Sequence, residues 1–252
     1  MLPLVVQDLG TLPYAEALAV QREAARARMA GELAEDVLFL VEHPPVVTLG
    51  RNAKAAHLGV SAEYLARHGI ELFEVERGGD VTFHGPGQLV GYPVFDLRGL
   101  KPDLHWYLRQ LEGALIQALD RLGLPATRNP GHTGVWTAGA PRGSSEPFPA
   151  AERAPEGSSG PPEGPEAQPA LRKIASIGVH AREWVTWHGF ALNVSTDLRY
   201  FDLMVPCGIP GVRMTSLEAE LGRAVEMAEV KRQVVAGVAE GFGLGAELRA
   251  GS

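Results

Sequence analysis

Cysteine is almost absent: Cys207 is the only one in 252 residues. No disulfide can close within the chain, so the fold must hold by burial and hydrogen bonding alone. Long apolar runs are missing as well. The longest, such as Val37 to Val41, have the length of a core strand and fall far short of the ~20 residues of a bilayer span. The apolar stretch Leu2 to Val6 is too short for a secretory signal and runs straight into Asp8. These absences lead to the expectation of a soluble, cytoplasmic protein with no membrane association. A basic surplus is also missing: 23 Lys and Arg stand against 30 Asp and Glu, a formal charge of −7, which speaks against a general nucleic-acid binder. The eight histidines meet one cysteine and no H-E-x-x-H or paired C-x-x-C pattern, so no zinc site is expected.

Neither an internal repeat nor a regular β-α-β alternation is present, which points to an α+β or irregular α/β domain. Pro13 is placed to open a helix running to about Met29. Val37 to Val41 and Val46 to Leu49 read as strands separated by His43-Pro44-Pro45, and Ala62 to His68 as a short helix. Ile70 to Val75 and Gln88 to Phe95 read as strands around a glycine-rich crossing, within which Val81 to Phe83 is a further strand. Leu104 to Leu122 has helical spacing and stops at Gly123. Trp184 to Val194 is expected to form a hairpin turning near His188-Gly189, and a last helix covers about Met227 to Glu240.

One segment stands apart. Ala138 to Ala170 holds eight of the 19 prolines, five glycines and four serines, with almost no large apolar side chains. Such a composition cannot bury enough surface to offset chain entropy. It is expected to be a flexible insertion within a single domain spanning 1–252, because both flanks, Thr133 to Thr137 and Leu171 to Val179, read as strands of one sheet.

Three places could carry chemistry. Cys207 sits between Pro206 and Gly208 in MVPCGIPG, where a fixed φ on one side and a permissive residue on the other can hold a thiol at a defined, accessible point. Arg77 to Gln88, RGGDVTFHGPGQ, crowds four glycines, an arginine and a histidine into one turn-strand-turn, so backbone can approach a ligand closely. It lacks the G-K-[ST] of a P-loop and the G-x-G-x-x-G spacing of a dinucleotide site. The bland alternative is a pair of tight turns with Asp80 and His84 in solvent. The third is KIASIG, from Lys173 to Gly178, where a lysine leads an apolar strand. In solvent it is only a cap; buried beside a thiol it can serve as the thiol's base. No G-x-S-x-G elbow exists for a serine nucleophile. On the residues alone the partner of Cys207 stays open between Lys173 and the histidines His43, His84 and His188.

These stretches, RGGDVTFHGPGQLVGYPVFDL from Arg77, KIASIG from Lys173, HGFALNV from His188, and PCG followed by MTSL up to Leu217, resemble the lipoyl(octanoyl) transferase family, also called lipoate-protein ligase B. The likeness extends back through EHPPVVTLGR, Glu42 to Arg51, and leaves out the insertion and the last helix. It implies a fold like the catalytic domains of lipoate and biotin ligases, with a larger and a smaller mixed sheet packed with helices. The implied activity is transfer of an octanoyl group from acyl carrier protein to a lysine of lipoyl domains in 2-oxoacid dehydrogenase complexes and glycine cleavage H protein, by a monomer using neither ATP nor metal. The monomer is a default expectation apart from the resemblance. By the resemblance Cys207 is the acyl-accepting nucleophile and Lys173 its acid/base partner. Gly178 and Cys207 supply oxyanion N–H groups, and Arg77, Gly78, Gly79, His84, Gly87 and His43 bind substrate. Val81, Phe83, Leu89 and Val179 are candidate walls for the acyl tail, and Arg51, Lys54 and Arg213 a candidate basic rim for acidic partner proteins. The family does not usually carry an insertion as long as 138–170.

Overall fold

The computed structural model describes residues 3–138, 171–209 and 211–249. The elements in chain order are β1 (Pro3–Thr11), α1 (Tyr14–Ala30), β2 (Asp36–Glu42), β3 (Val46–Leu49), α2 (Ala62–Arg67), β4 (Glu71–Glu74), β5 (Val81–His84), β6 (Gln88–Val94), α3 (Leu104–Arg121), β7 (Thr127–Asn129), β8 (His132–Thr137), β9 (Arg172–Arg182), β10 (Val185–Asn193), β11 (Arg213–Met214), α4 (Leu217–Leu221), α5 (Met227–Phe242) and β12 (Gly245–Arg249). Among the described residues they form two mixed sheets. The larger has the order β12-β1-β2-β6-β10-β9-β8-β7, with β11 added beside β9, and the smaller is β4-β3-β5. The expected pair of unequal sheets is therefore present.

Local signals set the helices. Pro13 occupies the position before α1, and Gly31, in the left-handed region at φ 74°, ends it; a residue without Cβ takes that conformation freely. Asp103 accepts a hydrogen bond from the Trp106 N–H and so caps α3, satisfying one of the donors a helix start leaves open. Leu111, Leu115 and Leu119 of α3 and Val230, Val234 and Val238 of α5 recur at helical spacing and pack with Leu4, Leu38 and Phe190 into the main core. α1 covers the opposite face of the large sheet through Ala17 and Ala25, against Val37, Phe39 and Ala191. The small sheet and α2 have their own core around Val47, Leu65, Val81 and Phe83.

One expectation fails here, and of the two readings of the glycine-rich loop the solvent-exposed one drops out. His188-Gly189 is not a turn: β10 runs unbroken through both, paired with Val179 and Gly178 of β9. The hairpin turns instead at Glu183-Trp184, where both residues have positive φ, 51° and 65°, as a two-residue turn that follows the strand twist requires. Gly189 is needed for another reason, since a Cβ there would lie 2.1 Å from the Gly91 carbonyl oxygen of the neighbouring β6. Asp80 and His84 are likewise not in solvent; both are buried. The strands flanking the proline-rich segment, β8 and β9, are neighbours in the large sheet, while the expected insertion itself, apart from residue 138, lies outside the described residues. Among the described residues no helix is long and apolar enough to cross a membrane.

The contact between Gly189 and Gly91 makes a direct test of this packing. Gly189→Ala is expected to destabilise the protein by about 1–3 kcal/mol, the usual cost of overpacking, seen as a lowered denaturant midpoint at unchanged slope.

Candidate active site

The chain around Cys207 is tethered on one side to the loop between β3 and α2 and on the other to the large sheet. Before it, the Val205 N–H donates to the His57 carbonyl (2.8 Å) and Met204 bridges to Leu58. After it, β11 pairs in parallel with β9, placing Met214 opposite Lys173, and the Thr215 N–H donates to the Lys173 carbonyl (2.9 Å). Between these anchors Pro206–Gly208 makes one turn of 3-10 helix, with Cys207 itself left-handed at φ 57°. For a non-glycine residue that conformation is uncommon and strained. Gly208 is required by its neighbours as well as by its φ of 65°: a Cβ there would sit 2.5 Å from Asp80 Oδ2 and 3.0 Å from His57 Nδ1. Asp80 accepts from His57 Nδ1–H at 2.7 Å, so this pair forms a polar shelf beneath the cysteine turn. Nothing in the sequence reading pointed to His57; its pairing crosses from one loop to another.

Lys173 is 2% exposed. Its Nζ donates to Cys207 Sγ at 3.1 Å and stands 5.4 Å from the centre of the Trp136 ring, a cation–π arrangement. Ser176 Oγ is 3.7 Å from the same sulfur. The residues alone left lysine and three histidines open; the geometry puts lysine beside the thiol. A second buried pair fixes where β9 begins. Arg172 donates through Nε and Nη2 to Glu220 (both 2.8 Å), which also accepts from Thr215 and Thr137 hydroxyls, tying β9, β8 and the segment after β11 to α4.

A cavity of about 610 Å³ opens at Lys173 and Cys207. Gly78, Gly79, His84 and Gly178 line it, as do Val81 and Val179. His188, one of the candidate bases, faces it as well, and sequence reasoning missed Tyr14, Tyr92 and the run from Gly189 to Ala191. Periodicity could assign these only to core strands. Arg77 lines the cavity too, but its guanidinium is spent on the loop: it donates to the Thr48 carbonyl and hydroxyl and to the carbonyls of Asp80 and Gly78, at 2.7–3.0 Å. Burial pulls its proton affinity below the ordinary range. It holds the glycine loop in shape.

Several assignments need correction. His43 does not line the cavity. It is fully buried, its Nδ1–H donating to the Leu12 carbonyl and its Nε2 accepting from the Tyr92 hydroxyl, both at 2.7 Å; it orients Tyr92 from behind. Gly87 is also outside the cavity. Its carbonyl accepts from the Val194 and Ser195 N–H groups and its N–H donates to Glu42, closing the end of β10. Phe83 stacks on Tyr200 in the small-sheet core and Leu89 is in the main core, so neither walls the cavity. Arg51, Lys54 and Arg213 are exposed, as expected of a rim. Among the described residues no three His, Cys, Asp or Glu side chains gather as a metal site.

Fold and cleft together define a lipoate-ligase-like catalytic domain. A bipartite lipoate protein ligase from Thermoplasma acidophilum superposes with a TM-score of 0.68 at 18% identity, over 100% of this chain and 88% of that one. A lipoate-protein ligase A bound with ATP does so with 0.68 at 18%, over 100% and 90%. At such identities the likeness is one of fold. The family model for the lipoyl protein ligase A/B catalytic domain matches residues 13–239. The octanoyltransferase of Koribacter versatilis is 45% identical over 227 residues, 89% of this chain and 78% of its own. That of Rubrobacter xylanophilus is 45% identical over 236 residues, 93% and 91%. The chain belongs to the lipoyl protein ligase A/B catalytic-domain family, and it is an acyltransferase.

The buried histidines make stability depend on pH. Burial pushes His43 down from 6.5 to about 4 and His84 from 6.5 to about 3. The unfolded chain takes up these protons near pH 6.5 while the folded protein refuses them, so their contribution is full above pH 6.5 and is lost as pH falls toward 4. Each group steepens the loss by up to about 1.4 kcal/mol per pH unit. Urea titrations between pH 7 and 4 are expected to show that slope reduced by roughly one proton in His43→Gln.

Proposed function

We propose that the protein transfers an octanoyl group from octanoyl-acyl carrier protein, through a thioester on Cys207, to the target lysine of lipoyl domains, including those of 2-oxoacid dehydrogenase complexes and glycine cleavage H protein. The observation that carries this reading is the 3.1 Å contact between Lys173 Nζ and Cys207 Sγ at the cavity, in a chain 45% identical to octanoyltransferases. We read it as one catalytic domain, with residues 138–170 as an insertion in its sequence.

The chemistry balances without an added activator, because a thioester donor is already reactive. Lys173 takes the Cys207 proton, and the thiolate attacks the octanoyl carbonyl. The new S–C bond forms as the bond to the carrier's phosphopantetheine sulfur breaks, and the proton on Lys173 passes to that departing thiolate. In the second half-reaction the acceptor's lysine amine attacks the acyl-enzyme, the amide forms, Cys207 leaves as thiolate, and the amine's proton returns to the Lys173–Cys207 pair. The backbone N–H groups of Gly178 and Cys207 are the proposed donors to the oxyanion. Gly78, Gly79, His84 and Gly178, on the cavity wall, are the proposed contacts for bound substrate. No ATP or metal enters either step in this scheme. Exposed Arg51, Lys54 and Arg213 offer positive charge to acidic partner proteins.

Intact-mass measurement after mixing with octanoyl-acyl carrier protein, in the absence of ATP, tests this reading. One octanoyl adduct is expected, labile to hydroxylamine, absent in Cys207→Ala, and formed at least 100-fold more slowly in Lys173→Met, as loss of a general base implies. Addition of an apo lipoyl domain should discharge it. An adduct that persists beside a competent acceptor, or transfer that demands ATP and free octanoate, would reject the proposal.

A further inference from the structure

Among the wall residues that the transfer chemistry leaves without a task, His188 is the one that combines burial, strain and a titratable ring. His188 is 1% exposed and lines the cavity. In the middle of β10 its φ is 56°, a left-handed conformation that strains a non-glycine residue. Among the described residues neither ring nitrogen has a hydrogen-bond partner; Nε2 stands 3.7 Å from Glu76 Oε1, beyond hydrogen-bond length. A buried polar ring left unsatisfied is a further destabilisation.

The surroundings nevertheless hold the residue firmly. Its backbone N–H donates to Oε1 of Gln21 (3.0 Å), a glutamine fully buried in α1 whose Nε2 donates to the Ala17 carbonyl. Behind the ring, Glu76 is itself fixed by Arg22 and by the Trp187 indole N–H. An imidazole displaced outward would run into that cluster. The strain, the unmet hydrogen-bonding groups and the anchoring all concentrate at one point of the wall.

Its distance along the wall gives that point a meaning. Cys207 Sγ touches Ser176, which pairs with Ala191, and the β9–β10 ladder, which runs on to Arg182–Val185, reaches Val179–His188 three residues further along. Three strand steps span about 10 Å, close to the reach of an extended chain of about eight carbons with bonds of ~1.5 Å in zigzag. Resting on the octanoyl-transfer reading above, we infer that His188 is the specificity-determining residue that sets the acyl-length limit, its imidazole closing the inner end of the cavity against the methyl terminus of an eight-carbon chain. Longer chains meet the ring before their carbonyl reaches the sulfur.

Competition among octanoyl, decanoyl and dodecanoyl pantetheine thioesters, read as acyl-enzyme by intact mass, tests this. The wild type is expected to load eight carbons in strong preference to twelve. In His188→Gly, which takes the left-handed backbone without strain, the twelve-to-eight loading ratio rises at least tenfold, read as a ratio whatever the absolute rate of loading. His188→Asn, which tolerates the same conformation, gives an intermediate ratio and supplies the readout if the glycine variant fails to fold. Octanoyl loading with an unchanged ratio in the folded variants overturns the length limit alone. A wild type that takes no acyl group from any thioester overturns the acyl-transfer reading and the limit together.

Discussion

An amine removed from water and held 3.1 Å from a thiol is the contact on which the rest of this molecule depends. An isolated ammonium in a protein interior is costly, and the groups that receive Lys173 are the Cys207 sulfur and the face of Trp136. At that separation a proton can pass between nitrogen and sulfur without either side chain moving far. The large sheet makes the contact durable. Parallel pairing of β11 with β9 draws the segment after Cys207 alongside Lys173, and the Arg172–Glu220 cluster locks the same end of β9 to β8 and α4.

The second constraint is close approach. The RGGD loop, the PCG turn and the β9–β10 ladder converge on the cavity with too little room for ordinary side chains between them. A Cβ on Gly178 would lie 2.6 Å from the Gly78 carbonyl oxygen, and one on Gly208 would collide with Asp80. Arg77 occupies the interior of this crossing and spends its donors on backbone and hydroxyl oxygens of the loops. Backbone strain gathers in the same region, at Cys207 and His188. Strain of this kind persists only where the surrounding packing over-determines it, and here two tethered turns and a buried glutamine do so.

Much of this was legible residue by residue. Helical spacing and capping residues located α1, α3 and α5 within a residue or two, because burial of one helical face and satisfaction of its end groups are local requirements. That Lys173 meets Cys207 was expected from the family resemblance of their motifs and not from the residues alone, which left three histidines open. The errors have a common origin. His43 and Gly87 share a motif with cavity residues yet stand behind the wall, since adjacency along a chain does not say which side of a sheet a group faces. His188-Gly189 imitates a turn because glycine suits turns, whereas this glycine answers to a carbonyl on a strand almost 100 positions away in sequence. The true turn, Glu183-Trp184, carries no glycine or asparagine to announce it. β1, β12 and β11 escaped notice because their pairing partners lie far off in the chain and their own composition is ordinary.

The amino-acid sequence by itself determined the inventory: one thiol flanked by proline and glycine, one lysine leading an apolar strand, a glycine-dense loop, and the helices that cover the sheets. Those follow from side-chain chemistry and from rules that act over a few residues. Only the tertiary structure decided that the lysine is buried, that it and not a histidine meets the sulfur, that Arg77 braces the loop, and that His188 is buried in the cavity wall. Burial and proximity are properties of strand register and long-range pairing, which no single segment carries on its own.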